Sequence, residues 1–158
     1  MSGWTKVIGF AAFCTTFTAG VAMLVGHPPA EGMPLPTTVI AVLLCFTING
    51  LAWGPASLWQ TERYYDLTGA ITSLTVMGTV CWIERDTLGM RGVLVAACVC
   101  IWAARLGRFL FARIVRDGVD HRFDGLREHA DRFLIPWTLQ GMWVALITLA
   151  SVVIISHP

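Results

Sequence analysis

Five apolar runs separated by short polar links constrain this chain more than any other feature of its sequence. A helix that spans a bilayer needs about 20 predominantly apolar residues, and five segments approach that length. They are Val7–Val25, Thr37–Trp59, Leu67–Ile83, a run from Arg91 that continues toward Arg116, and Phe133–Ile155. Charged residues make up only 13% of the chain, about half the share of a soluble domain, so a water-soluble globule would lack the polar surface to cover itself. The expected fold class is an all-α integral membrane bundle of about five transmembrane helices, residues 1–158 forming a single domain. Val7–Val25 runs long for a signal-peptide core and reads as a retained span. Pro136 is expected in the first turn of the fifth helix, where its missing N–H costs little.

The stretch Arg105–Arg132 holds seven of the eleven basic residues and forms a hinge between the fourth and fifth apolar runs. Basic loops stay on the cytoplasmic or matrix-like side, and five spans then place the N-terminus on that same side. Lys6 and Arg63 agree with this orientation, as does the opposite link containing Glu31; Arg85 and Arg91 oppose it. A fourth helix reaching Arg116 would be roughly 37 Å long, more than the ~30 Å hydrocarbon core, so its last turns should stand in the headgroup layer. Arg105, Arg108, Arg113 and Arg116 fall within an arc of about 140° at 100° per residue. Such a stripe suits phosphate, whether of an anionic lipid or of a nucleotide, or it flanks the span and snorkels. Arg105, the deepest, calls for a specific partner, with Glu62 or Asp66 as candidates. No separate basic domain points to nucleic acid.

Polar groups inside the spans are the next informative feature. Asn49, Trp53, Ala56 and Gln60 share one face of a continuous second helix. An amide near mid-membrane avoids lipid, so Asn49 either walls an internal cavity or ties to a Ser or Thr of a neighbouring span. Gln140, between Trp137 and Trp143, has the same two readings. The five cysteines (Cys14, Cys45, Cys81, Cys98 and Cys100) all lie in apolar runs with no metal-ligand spacing and read as small buried hydrophobes. His121 and His129 are too isolated to suggest a metal, and no metal site is expected.

Four blocks carry a resemblance: Trp59–Thr72 (WQTERYYDLTGAIT), Ile101–Ile114 (IWAARLGRFLFARI), Asp117–Asp124 (DGVDHRFD) and Trp137–Val144 (WTLQGMWV). In this order they resemble the steroid 5α-reductase-like family of integral membrane proteins, and more narrowly its branch defined only as a domain of unknown function. The resemblance implies a multi-helix membrane fold related to NADPH-dependent reductases of enone lipids, with a polar cavity between helices for the substrate carbonyl. By motif position it offers Gln60, Glu62, Tyr64, Tyr65 and Asp66 as polarising or proton-donating groups, with Asn49, Trp53, Gln60 and Gln140 as cavity walls.

The family's His-Pro-Asn-Tyr-type block, which contributes much of its nicotinamide site, has no counterpart before Pro158, and no Gly-rich phosphate loop stands in for it. The resulting expectation is a non-catalytic scaffold or accessory subunit, in contact with membrane lipids, including anionic headgroups, and with other membrane subunits. The alternative is an NADPH-dependent reductase of a steroid or other lipid enone, possibly one part of a split enzyme.

Overall fold

The computed structural model describes residues 3–157. Its elements are helices α1 (Gly3–Val25), α2 (Thr37–Leu58), α3 (Tyr65–Ile83), α4 (Met90–Asp117) and α5 (Ala130–Ser156), with a single 3-10 turn at His121–Phe123. No strand occurs among the described residues. All five helices are long and apolar enough to cross a membrane. The chain is therefore a membrane-embedded, multi-pass helical protein.

Helix α5 packs against each of the other four, and its apolar stretch is the most enclosed of the set. The bundle has two ends that the contacts define. At one, Gly3 lies directly against the Asp131 carboxylate, Trp4 meets Trp53 edge-on at 6.1 Å, and Trp53 Nε1 donates to the Ala130 carbonyl at 3.2 Å. The start of α1, the end of α2 and the start of α5 thus share the hinge end. At the other, Thr38 Oγ1 donates to the Ala22 carbonyl (2.8 Å), Thr37 Oγ1 to Glu84 (2.5 Å) and Arg91 to the His157 carbonyl (2.6 Å).

The sequence explains where the helices stop. Pro36 cannot donate, but its carbonyl receives the N–H groups of Val39 and Ile40 and so opens α2. Helix α4 closes at Gly118, whose φ of +83° is open to glycine at little cost; its N–H returns to the Ile114 carbonyl at 2.9 Å. With 28 residues, α4 is about 42 Å long and outreaches a bilayer core.

Inside the bundle, hydroxyls that would be costly in lipid bond back to their own helices. Thr18, Thr72 and Thr148 donate to the carbonyls of Cys14, Thr68 and Val144, each at 2.7 Å. Small residues bring backbones together. A Cβ on Gly107 would overlap the Ala70 side chain, which fixes how closely α4 approaches α3. A main apolar core runs through Val42, Cys45, Val76, Met77, Val144, Val152 and Ile155. A second, aromatic one around Phe123, Phe133 and Trp137 closes the hinge end.

Two expectations are corrected. Helix α2 ends at Leu58, where the Trp59 and Thr61 N–H groups turn back to the carbonyls of Pro55 and Ala56. Gln60 follows with φ +49° and is exposed, so it does not continue the face of Asn49, Trp53 and Ala56. Pro136 is the seventh residue of α5 rather than part of its first turn. The helix starts earlier because Phe133 and Trp137, four apart, both turn into the aromatic core and draw the polar residues before them into helical register.

Candidate functional site

The hinge end brings together two of the motif blocks, the α2–α3 link and the loop after α4. Glu62 is buried. Its carboxylate accepts from Arg127 Nη1 at 2.9 Å and from the Asp120 backbone N–H at 3.1 Å, and Arg127 continues to Asp124 at 2.8 Å. Asp66, in the first turn of α3 where the helix dipole favours an anion, accepts from Arg113 at 3.1 Å and from Arg122 at 3.1 Å. Asp120 pairs with Arg122 through Nε at 2.9 Å and lies 3.5 Å from Arg113. Hydrogen bonding from Arg122 holds the Asp120 carboxyl below its ordinary value, against the opposing effect of burial. Arg122 is raised in turn, chiefly by Asp120. Asp124 is lowered, first by its hydrogen bond with His121.

Tyr65 connects this ionic layer to the interior. Its hydroxyl donates to the Pro136 carbonyl at 2.9 Å, and its ring meets Phe123 at 4.8 Å and Trp137 at 5.2 Å, both edge-on. The Tyr65 carbonyl accepts from Gln140 Nε2 at 2.8 Å. The same nitrogen donates to Asn49 Oδ1 at 3.1 Å. Asn49 Nδ2 then reaches Thr72 Oγ1 at 3.3 Å and the Cys45 carbonyl at 2.8 Å. One polar chain therefore crosses α5, α2 and α3. The tie from Asn49 to a threonine of the third helix is present, and Asn49 and Gln140 are each other's partners.

Beside this chain, a half-open groove of about 440 Å³ runs between α3, α4 and α5. Ala70, Trp102, Leu106, Leu139, Trp143 and Ile147 form its apolar walls, while Tyr65, Asp66, Gln140 and Arg122 border its polar end. Of the expected cavity residues, only Gln140 lines this groove. Asn49 is buried behind it, Trp53 faces Trp4 and α5, and Gln60 is exposed past the end of α2. Tyr64 also points away and is half exposed, its ring stacked on Phe111 at 6.2 Å.

The arginine row divides. Arg113 belongs to the Asp66–Asp120 cluster, and Arg116 pairs with its neighbour Asp117 at 2.8 Å. Arg105 and Arg108 are exposed and have no carboxylate within ion-pair distance among the described residues. The expected partnership of Arg105 with Glu62 or Asp66 is thus not formed. Arg127 holds Glu62, while Arg113 and Arg122 hold Asp66. Arg122 and Arg127, which complete the site, carried no warning beyond the alternating signs of the hinge, since their partners lie 56 and 65 residues away.

With this geometry in view, one comparison identifies the chain. Residues 52–158, more than half of its length, match the model of a protein family of unknown function, DUF1295. The chain belongs to the DUF1295 family. The segment of the DUF1295 match takes in the end of α2 and all of α3, α4, the hinge and α5, and hence every groove-lining residue. No curated protein and no solved structure matches the chain. Among the described residues no group of three or more His, Cys, Asp or Glu side chains could hold a metal ion.

Proposed function

We propose that this DUF1295 protein is a non-catalytic membrane subunit, a helical scaffold whose hinge faces the cytoplasm or a matrix-like compartment. The observation that carries this reading is the engagement of Glu62, Asp66, Tyr65 and Gln140, while Gln60 and Tyr64 lie outside the groove. Both carboxylates are neutralised by arginine, the Tyr65 hydroxyl is committed to Pro136, and the Gln140 amide nitrogen is shared between Asn49 and Tyr65. Groups so arranged rigidify a bundle end and are committed to one another rather than to a substrate. The test is NADPH titration of the full chain in mild detergent, with and without a lipid enone. The expected result is no saturable binding and no enone-dependent oxidation of NADPH. Tyr65→Phe should lower thermal stability and change nothing else.

A second reading, an NADPH-dependent reductase of a lipid enone, draws on the groove. Its volume lies within the roughly 300–1,000 Å³ of small-molecule sites, and it has apolar walls with a polar end, as the resemblance to steroid 5α-reductase-like proteins implies. Saturable NADPH binding together with turnover lost in Tyr65→Phe would establish this reading and overturn the first.

A further inference from the structure

We propose that Arg105 and Arg108 form a binding site for the phosphate of an anionic phospholipid on the outer face of α4, a role that lies outside the scaffold reading above. The Asp66–Arg113 pair marks the hinge-side level of α3. Eight residues earlier on α4, Arg105 lies about 12 Å deeper at 1.5 Å per residue, and Arg108, five residues earlier, about 7.5 Å deeper. Both are exposed and without an anionic partner among the described residues. An unpaired charge at such depth, on a face open to acyl chains, is costly unless an anion meets it.

The surroundings fit a lipid headgroup. Two adjoining surface clefts, about 300 and 350 Å³, share Arg105 and Phe109. The deeper is completed by Trp102 and Leu106, the shallower by Arg108 and Ala112. The side chains of Phe109 and Trp102 are 66% and 45% exposed, so aromatic surface for a glycerol backbone and acyl chains lies beside the two guanidinium groups. Arginine suits a phosphate through its fork of donors. Because Arg113 and Arg116 are already occupied by carboxylates, the site is confined to the deeper pair.

The test uses the full chain, delipidated in a neutral detergent, with phosphatidylglycerol or phosphatidylcholine added to the micelles. Melting curves and native mass spectrometry read the binding. Two arginines near the headgroup should give phosphatidylglycerol about a tenfold or greater preference. That preference should vanish in Arg105→Gln/Arg108→Gln and survive in Arg116→Gln. Arg105→Lys/Arg108→Lys, which keeps both charges, should retain most of it and decides the matter if the glutamine pair fails to fold. Equal binding of the two lipids by the unaltered chain overturns the proposal and leaves the arginines as snorkelling flanks. Displacement of phosphatidylglycerol by a 2′-phosphorylated dinucleotide at lower concentration also overturns it, since the phosphate would then belong to a soluble nucleotide.

Discussion

Glu62 combines burial, charge and a backbone contact at the place where the α2–α3 link touches the hinge loop. Removing one partner of a buried ion pair strands the other, at a cost of about 3–5 kcal/mol. Here Arg127 keeps 25% of its side-chain exposure against 5% for Glu62, so the two single substitutions should differ. Arg127→Met is expected to destabilise more than Glu62→Gln, because it leaves the less exposed partner unpaired, while glutamine still accepts from the Asp120 N–H. Detergent-unfolding curves of the two variants check this, with about 3 kcal/mol expected for Arg127→Met at the low end of that range. The pairing of Glu62 with Arg127 was not legible in the sequence, where Arg105 stood as the expected partner for Glu62 or Asp66. Helical periodicity places side chains within one helix and has no information about which loop, 65 residues on, comes back to meet them. Asn49 was better served, since an amide at mid-membrane has so few alternatives to a neighbouring helix.

At the scale of elements, the hinge loop and the α3–α4 contact each support a prediction. Asp120 and Asp124 have folded-state pKa values below the ordinary 3.8. Carboxyls depressed in this way add stability that is complete above the unfolded value and is lost as pH falls through the lower folded one. The loop should therefore hold its amide-exchange protection unchanged down to about pH 4 and lose it in the acid range below, before the spans themselves open. Asp120→Asn should remove most of that acid dependence. Between α3 and α4, Gly107 leaves no room for a side chain against Ala70. Gly107→Leu should separate the two helices and cost about 1–3 kcal/mol by overpacking, whereas Gly50→Leu, at a position with open space, should cost far less. Melting temperatures of the pair, measured in one detergent, make the comparison.

For the whole molecule, the five spans were readable because a bilayer imposes one length and one polarity on every crossing. The boundaries of α2 and α3 agree with the hydropathy to within two residues. The errors fell where that constraint lapses, at Gln60 and at the polar first turn of α5, since water permits helix, turn or coil alike. Which helix occupies the centre was also hidden: the five runs look alike in composition, and α5 stands out only by its contacts with all the others. The up-and-down course of the bundle puts the start of α1 and the hinge at one end. Single cysteines introduced at Lys6 and Glu128, in a background lacking the native thiols, should accordingly be labelled by a membrane-impermeant maleimide from the same face, and one at Glu31 from the opposite face.

The central place of α5 also sets the order in which the protein can come together during synthesis. Four hydrophobic segments must leave the ribosome before the one that joins them, and until it arrives Asn49 lacks the Gln140 amide that caps its side-chain oxygen. The newborn chain thus passes through an interval in which a polar group sits in the bilayer half-satisfied.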